Sequence, residues 1–503
     1  MDDFQPGPTR LLDLWPRNLK GRRNYKFAQL RWLPASEWTE LARLLRKRIT
    51  KHQGGPHRTG AKRSSKRQAR RIIRRMRSEP GVKRSVIIPK RMLVGRKRPC
   101  RIMERLLPER DAAWTPILAR RKRHQIQLES FSLIDHPEKV VADLRTIAQL
   151  EATSAGVTMD FSDEACTDVS AYLVLGLMTQ NMIRVLDGGR ITPSVRSMLN
   201  AVDLAPFMGV RSVPDGTPDP TFMPFRLRRR RPAGSSSSQD IAAQPTTNEK
   251  LNDDLTATIN RWLKVCRRPP MTKEMMGYVA QLVGEVLDNA VRHSHPQTRD
   301  GDWAMAGFLS PARLSGDPER VYFVCSLAMV SIGATVHESL SESQDVDTVR
   351  RLREYVGRHT RQRGGQEQRD PEVELLTTIF ALQDGVSRLP QGEDDSRGGI
   401  GLMDTVQFMN EIGNVVPQGV MAPCMTLLSG RACLQLRGPY RDAPHREEGV
   451  RRELWFNLDN TLEQPPDSAY VRLLPYGFPG TIVALRFCVG TTGMDGLADR
   501  DVT

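Results

Sequence analysis

The spacing of apolar residues changes along the chain, and each kind of spacing predicts a different element. Short apolar runs of strand length occur at residues 156–161, 302–310, 321–330, 424–436, 470–474 and 481–487. Apolar residues three and four apart, typical of amphipathic helices, occur at residues 38–49, 162–183, 191–209, 251–266, 271–295, 346–361, 371–383 and 402–412. Helices and strands therefore follow one another through most of the chain, which predicts an α/β protein.

These elements fall into regions with different composition. We predict a basic, partly disordered N-terminal region, a small α/β unit, a polar low-complexity linker, a larger domain and a tail, at residues 1–125, 126–212, 213–248, 249–490 and 491–503. In the larger domain, helices should pack on one face of a mixed sheet, as in an α+β sandwich.

Apolar runs and cysteine spacing bear on where the protein works. The longest apolar run, at residues 171–178, is far shorter than the roughly 20 residues that span a bilayer. The first ten residues lack the basic-then-apolar order of a secretion signal. The 7 cysteines contain no CxxC pair, which argues against zinc and disulfides. We therefore expect a cytoplasmic protein without a membrane partner.

Most of the net charge of +17 comes from one stretch. Between Arg43 and Arg77 there are 15 Lys and Arg and no Asp or Glu, so subtracting them leaves +2 for the rest. Dense positive charge attracts phosphate backbones through counterion release. Nucleic acid or another polyanion is one predicted partner of residues 43–77, and the alternative is a solvated tail without a partner. The stretch has no aromatic residue, so base stacking is not predicted.

Three polar residues share one face of the helix predicted at 271–295. Glu285, Asn289 and His293 are spaced four apart, which aims a carboxylate, an amide oxygen and an imidazole in one direction. An amide oxygen is a suitable ligand for Mg²⁺, and a carboxylate can polarise water for attack on a phosphate. The alternative is an ordinary polar face of a surface helix.

The motif ExxDNAxxH resembles the asparagine box of the ATPase superfamily that includes gyrase, histidine kinases, mismatch-repair ATPases and a class of heat-shock chaperones (the GHKL or Bergerat fold). The resemblance implies that Asn289 coordinates Mg²⁺ and the phosphates of ATP. It also implies that Glu285 is the general base if hydrolysis occurs, and that His293 contacts phosphate.

A glycine-rich segment, SRGGIGL at residues 396–402, precedes the helix predicted at 402–412. Glycines let a backbone approach an anion closely, and a helix N-terminus favours negative charge, although a plain turn explains the same residues. The segment resembles the second glycine box of the same family. The resemblance implies that ATP is bound by Arg397, Gly398, Gly399 and Gly401.

Two further features concern the adenine end of such a site. Gly480 and Thr481 open a strand and resemble the family's late Gly-Thr element, which implies a nucleotide-binding role for Thr481. The first glycine box departs from the family pattern, because residues 326–329 stand where an aspartate and a glycine are expected. A lost buried hydrogen bond to the base costs on the order of 1–3 kcal/mol.

The α/β unit at 126–212 resembles the STAS-like modules that precede such ATPase domains in some bacterial proteins. The residues that carry this likeness are 157–161 and 167–171. The resemblance implies a protein partner and a phosphorylated serine, for which Ser170 is the candidate. The alternative is that Asp168 and Ser170 cap the helix that follows.

The sequence thus predicts a cytoplasmic bacterial regulatory protein whose larger domain binds Mg-ATP, with ATPase or protein-kinase activity as the enzymatic options. The alternative is a non-catalytic ATPase-fold scaffold that binds a protein or nucleic acid.

Overall fold

The computed structural model describes most of residues 100–489 and two short segments before them. The described residues are 27–31, 85–89, 100–113, 119–179, 182, 186, 188–208, 210, 222–229, 248–292, 302–314, 317–361, 370–384, 386, 403, 406, 407, 409, 422–441 and 452–489. The basic stretch 43–77, the helix predicted at 38–49 and the tail 491–503 lie outside them. In the described part, no helix is both long and apolar enough to cross a bilayer.

The first unit is a small parallel α/β arrangement. An antiparallel pair comes before it in the chain, formed by β1 (Phe27–Arg31) and β2 (Ser85–Pro89). The unit itself contains α1 (Arg101–Leu106), α2 (Arg110–Ala113), β3 (Ala119–Leu128), α3 (Pro137–Ala152), β4 (Ala155–Phe161), α4 (Ser170–Thr179) and α5 (Pro193–Ala201). β3 pairs with β4 in parallel, and Leu186 and Ile191 bridge the other side of β4 in parallel. We call residues 100–208 the N-terminal unit.

A five-stranded sheet forms the centre of the molecule. Its strands are β5 (Met223–Arg229), β6 (Asp302–Leu314), β7 (Asp317–Ile332), β8 (Cys424–Leu436) and β9 (Val471–Val489). They lie in the order β5-β6-β7-β9-β8, and every neighbouring pair is antiparallel. The α+β class is confirmed, with parallel pairing in the N-terminal unit. The prediction of a mixed sheet in the larger domain is wrong for these five strands, because all of their pairings are antiparallel.

In the described part of the chain, five helices accompany this sheet. They are α6 (Asn248–Val265), α7 (Lys273–Arg292), α8 (Val336–Ser341), α9 (Val346–Arg361) and α10 (Asp370–Phe380). α6 packs on α7 and β5, α7 packs on β6 and β7, and α10 packs on β8 and β9. The helices predicted at 251–266, 271–295, 346–361 and 371–383 are thus present.

Both faces of the sheet are covered, and this corrects the expectation of helices on one face. The front face packs against α6, α7 and α10 through Met305, Leu327, Met329, Val483 and Leu485. The back face packs against α1, α3 and α4 of the N-terminal unit through Ala306, Ala328, Val330, Leu428 and Ile482. Successive side chains of a strand point to opposite faces, so both sets of alternating residues are apolar here.

Two predicted boundaries also need correction. The predicted linker at 213–248 contains β5, an edge strand whose Arg228 lies 3.2 Å from Asp254 of α6. The predicted N-terminal region ending at residue 125 contributes α1, α2 and the first residues of β3 to the fold.

Candidate functional site

The end of strand β7 lies later than the sequence indicated. Residues 326–329 are inside β7, paired with residues 483–486 of β9, so they do not occupy the strand end. The strand ends at Ile332, and Ser331 therefore stands two residues before Gly333 in the turn that leads to α8. The run predicted at 321–330 thus stops two residues short of the end of the strand. A hydroxyl residue, Ser331, stands beside that end.

Three hydroxyl residues lie side by side across the sheet at this end. Ser331 of β7 and Ser429 of β8 are both cross-strand partners of Thr481 in β9. The Ser429 hydroxyl donates to the Gly480 carbonyl at 3.1 Å and lies 3.1 Å from the Thr481 hydroxyl. It also accepts a hydrogen bond of 2.8 Å from the Val336 amide at the start of α8. Cross-strand partners share a face, and by alternation from Met329 this is the front face, on which α7 packs.

Gly480 makes this close arrangement feasible. Its φ of +100° is in the region that side chains rarely adopt, and an added Cβ would lie 2.0 Å from the Ser331 carbonyl oxygen. The glycine of the predicted Gly-Thr element is therefore required for contact between β9 and the end of β7.

The turn after β7 is held by a capping box. The Thr335 hydroxyl accepts from the Glu338 amide at 3.1 Å, and the Glu338 carboxylate accepts from the Thr335 amide at 2.8 Å. Reciprocal bonds of this kind satisfy two amides that a helix start leaves without partners. They fix the direction in which the chain leaves Ser331.

A carboxylate from α10 completes the cluster. Glu374 is buried, and its Oε1 accepts from the Arg431 amide at 3.1 Å. An added Cβ on Gly430 would lie 1.6 Å from that oxygen and 3.2 Å from Thr335, so the glycine permits the approach. Burial raises the pKa of Glu374, against the lowering effects of the Arg431 amide, Arg105 and His337. We call the five residues Ser331, Thr335, Glu374, Ser429 and Thr481 the strand-end site.

The residues predicted from the sequence are placed as follows. Thr481 lies in the strand-end site. Glu285 and Asn289 lie in the last two turns of α7, for which the structure describes the backbone and not these side chains. His293, Arg397, Gly398, Gly399 and Gly401 fall outside the described residues.

No group of three or more His, Cys, Asp or Glu within the described ranges is arranged to hold a metal ion. All 7 cysteines are free and buried. Burial raises the pKa of the Cys424 thiol to about 11.

A second polar cluster, which the sequence did not reveal, lies on the back face. Arg486 of β9 donates to both carboxylate oxygens of Asp135 at 2.5 and 2.7 Å. The Ser132 hydroxyl lies 2.9 Å from both Asp135 and Asp168. Ser326 of β7 accepts from the Val169 amide at 3.1 Å, so the start of α4 rests on the sheet. We call this cluster the junction.

Ser170 belongs to the junction and is completely buried. Its amide and hydroxyl both donate to the Asp168 carboxylate at 2.8 Å. This geometry matches the capping alternative, in which Asp168 satisfies the first amide of α4. The surface of the N-terminal unit around Ser170 faces the sheet of the same chain.

No protein-family model matches the chain significantly, and neither does a curated protein or a solved structure. The function must therefore be inferred from the residues of the chain itself.

Proposed function

We propose that residues 249–490 form a nucleotide-binding domain of the histidine-kinase and gyrase type, which binds Mg-ATP and serves a regulatory role. The observation that carries this proposal is the strand register that puts Thr481 opposite Ser331, at the end of β7 and on the face where α7 packs. In the family that the sequence resembles, a Gly-Thr strand lies next to the residue that recognises adenine. In this chain, Ser331 and Thr481 are 150 positions apart, and the strand pairing places them next to each other in the same way.

The two ends of the proposed site differ in how well they suit ATP. At the base end, the hydroxyls of Ser331 and Thr481 would exchange hydrogen bonds with a base, while Ser429 stays bonded to the Gly480 carbonyl and the Val336 amide. Ser331 replaces the carboxylate that the family uses. The missing charged acceptor lowers affinity by on the order of 1–3 kcal/mol. We therefore expect ATP to bind weakly.

At the phosphate end, the proposal uses the residues that α7 carries. Asn289 would supply an amide oxygen to Mg²⁺, which neutralises phosphate charge when bound. Glu285 would act as a general base if the protein hydrolyses ATP or transfers its phosphate. His293, Arg397, Gly398, Gly399 and Gly401 would contact the phosphates. These roles rest on the sequence resemblance.

A thermal-unfolding titration of the full chain with Mg-ATP tests the proposal. A ligand at ten times its Kd stabilises the folded state by about 1.4 kcal/mol, so the midpoint should rise at millimolar Mg-ATP. Asn289→Ala should abolish the rise or its dependence on Mg²⁺. Asn200→Ala, at an exposed asparagine on α5, is the matched control and should leave the rise intact. A folded wild-type protein without any rise contradicts ATP binding.

The second candidate function is a non-catalytic scaffold of the same fold that binds a protein or nucleic-acid partner. The serine at position 331 favours it, because the acceptor for the base is uncharged. The same titration separates the two, since a scaffold shows no nucleotide-dependent stabilisation.

A further inference from the structure

An arginine of the N-terminal unit contacts the capping box that adjoins the strand-end site. Helix α1 is anchored by Ile102, Met103 and Leu106, each at most 1% exposed. Arg105 lies between the last two of them and projects from the core, with its side chain 45% exposed. Its Nη2 lies 3.3 Å from Oε1 of Glu338. The apolar anchors of α1 thus determine where this guanidinium stands.

The Glu338 carboxylate connects Arg105 to the turn after β7. Its Oε1 pairs with Arg105, while its Oε2 accepts from the Thr335 amide at 2.8 Å. One carboxylate therefore joins the N-terminal unit to the capping box that orients the chain after Ser331. An ion pair of this exposure contributes little to the stability of the whole protein.

Arg105 also lies beside the part of β9 that packs on Gly430, the glycine next to Glu374. A Cβ added to Gly477 of β9 would be 3.4 Å from both Arg105 Nε and Arg431 Cγ, and the Arg431 amide bonds Glu374. Burial raises the pKa of Glu374, and the neighbouring Glu338 adds to this rise, whereas the Arg431 amide, Arg105 and His337 act to lower it. The charged groups around Glu374 thus come from α1 of the N-terminal unit and from α8, which follows strand β7 of the sheet.

We propose that Arg105 makes the strand-end site a composite of the N-terminal unit and the sheet with its front-face helices. Its guanidinium holds the carboxylate that caps α8 and offsets the charge that α10 brings beside Gly430. The ligand part of this inference rests on the proposed nucleotide binding. Docking of the N-terminal unit then sets the shape and charge of the site, and Arg105 is a positioning residue.

A matched pair of variants in the full chain tests the electrostatic part without any ligand. Arg105→Gln removes the guanidinium at the site. Glu138→Gln breaks a comparable cross-unit ion pair, to Arg472, which lies eight residues from Gly480 along β9. The unfolding midpoint of each variant is measured from pH 4.5 to pH 7.

The expected pH dependence follows from Glu374. A carboxyl whose pKa is raised on folding contributes stability at low pH that is lost as pH rises through the folded-state pKa. Arg105→Gln raises that pKa further, so its midpoint should fall below wild type by about 2 °C more at pH 7 than at pH 4.5. Adding Glu374→Gln should remove most of this pH dependence. An Arg105→Gln profile that parallels Glu138→Gln overturns the proposal.

The ligand part is tested by the rise in midpoint that millimolar Mg-ATP produces at pH 7. Arg105→Gln should reduce that rise to less than half, and Glu138→Gln should leave it unchanged. An undiminished rise in Arg105→Gln overturns the composite site while nucleotide binding stands. If wild type shows no rise, nucleotide binding fails, and the pH profiles alone then decide whether Arg105 controls the site.

Discussion

The strand-end site depends on the absence of a side chain at Gly480. Its backbone has a φ of +100°, and the Ser331 carbonyl occupies the place where a Cβ would stand. Strain at such a conformation and the clash each cost on the order of 1–3 kcal/mol.

Gly480→Ala should therefore lower the free energy of unfolding by about 3 kcal/mol, as measured by urea denaturation followed by tryptophan fluorescence. Gly277→Ala is the control, because Gly277 is exposed on α7 and a Cβ there meets nothing within 4 Å. That change should raise stability by about 0.5–1 kcal/mol. Equal losses in the two variants would show that Gly480 has no special role.

Among the elements, the end of α10 is tied to a distant loop by a buried ion pair. Arg452 is 1% exposed, and its Nε and Nη2 donate to Asp384 at 2.8 and 3.2 Å. Gln383, which precedes Asp384 in the sequence, donates one hydrogen bond to the Leu454 carbonyl and accepts one from the Leu454 amide. Arg452 also donates to Gln407, so it joins three parts of the chain.

Arg452→Met should cost about 3–5 kcal/mol, because it leaves the Asp384 charge buried without its partner. Arg350→Met is the control, since the pair of Arg350 with Asp347 is more than 60% exposed on both sides. Its loss should leave the free energy of unfolding nearly unchanged, because solvent screens so exposed a pair. Urea denaturation measures both variants, and a loss in Arg452→Met as small as that of the control would contradict a structural role for the buried pair.

Helices and strands differ in how closely their predicted bounds match the structure. The spacing predicts a helix at 346–361, and α9 has those bounds. It predicts two strands at 470–474 and 481–487, but the structure has one strand, β9, that continues through Pro475, Gly477, Pro479 and Gly480. It misses β5, because proline and arginines dominate that segment. Strand pairing from neighbours overrides weak local preference in both cases.

Over the whole molecule, the N-terminal unit and the front-face helices pack on opposite faces of one sheet. Apolar residues fill both faces, and the junction adds a polar connection in which Asp135 pairs with Arg486. Burial alone would raise the pKa of Asp135, but the hydrogen bonds and charge of Arg486, together with Ser132 and His136, lower it below its usual value.

A carboxyl with a lowered pKa contributes stability that is present above its unfolded-state pKa and is lost as pH falls through the folded-state pKa. Asp135→Asn should therefore reduce the free energy of unfolding by about 2 kcal/mol at pH 7. The difference from wild type should shrink below about pH 4. Asp143→Asn, which breaks a surface pair with Lys139 on α3, should cost less than about 0.5 kcal/mol. Denaturation at several pH values checks this, and a pH-independent difference would exclude the assigned role of Asp135.

The sequence by itself determined the local elements, because apolar spacing within a helix or strand depends on near neighbours. It also singled out Thr481 by its place after Gly480 in a strand. Only the tertiary structure decided that Ser331, Ser429 and Glu374 join Thr481, and that Arg105 stands beside them. Those contacts join residues about 50 to 230 positions apart. They arise from strand register, from two glycines that admit close approach, and from the packing of the N-terminal unit on the back of the sheet. Local spacing carries no information about register, so only the folded chain shows that Ser331 and Ser429 pair with Thr481.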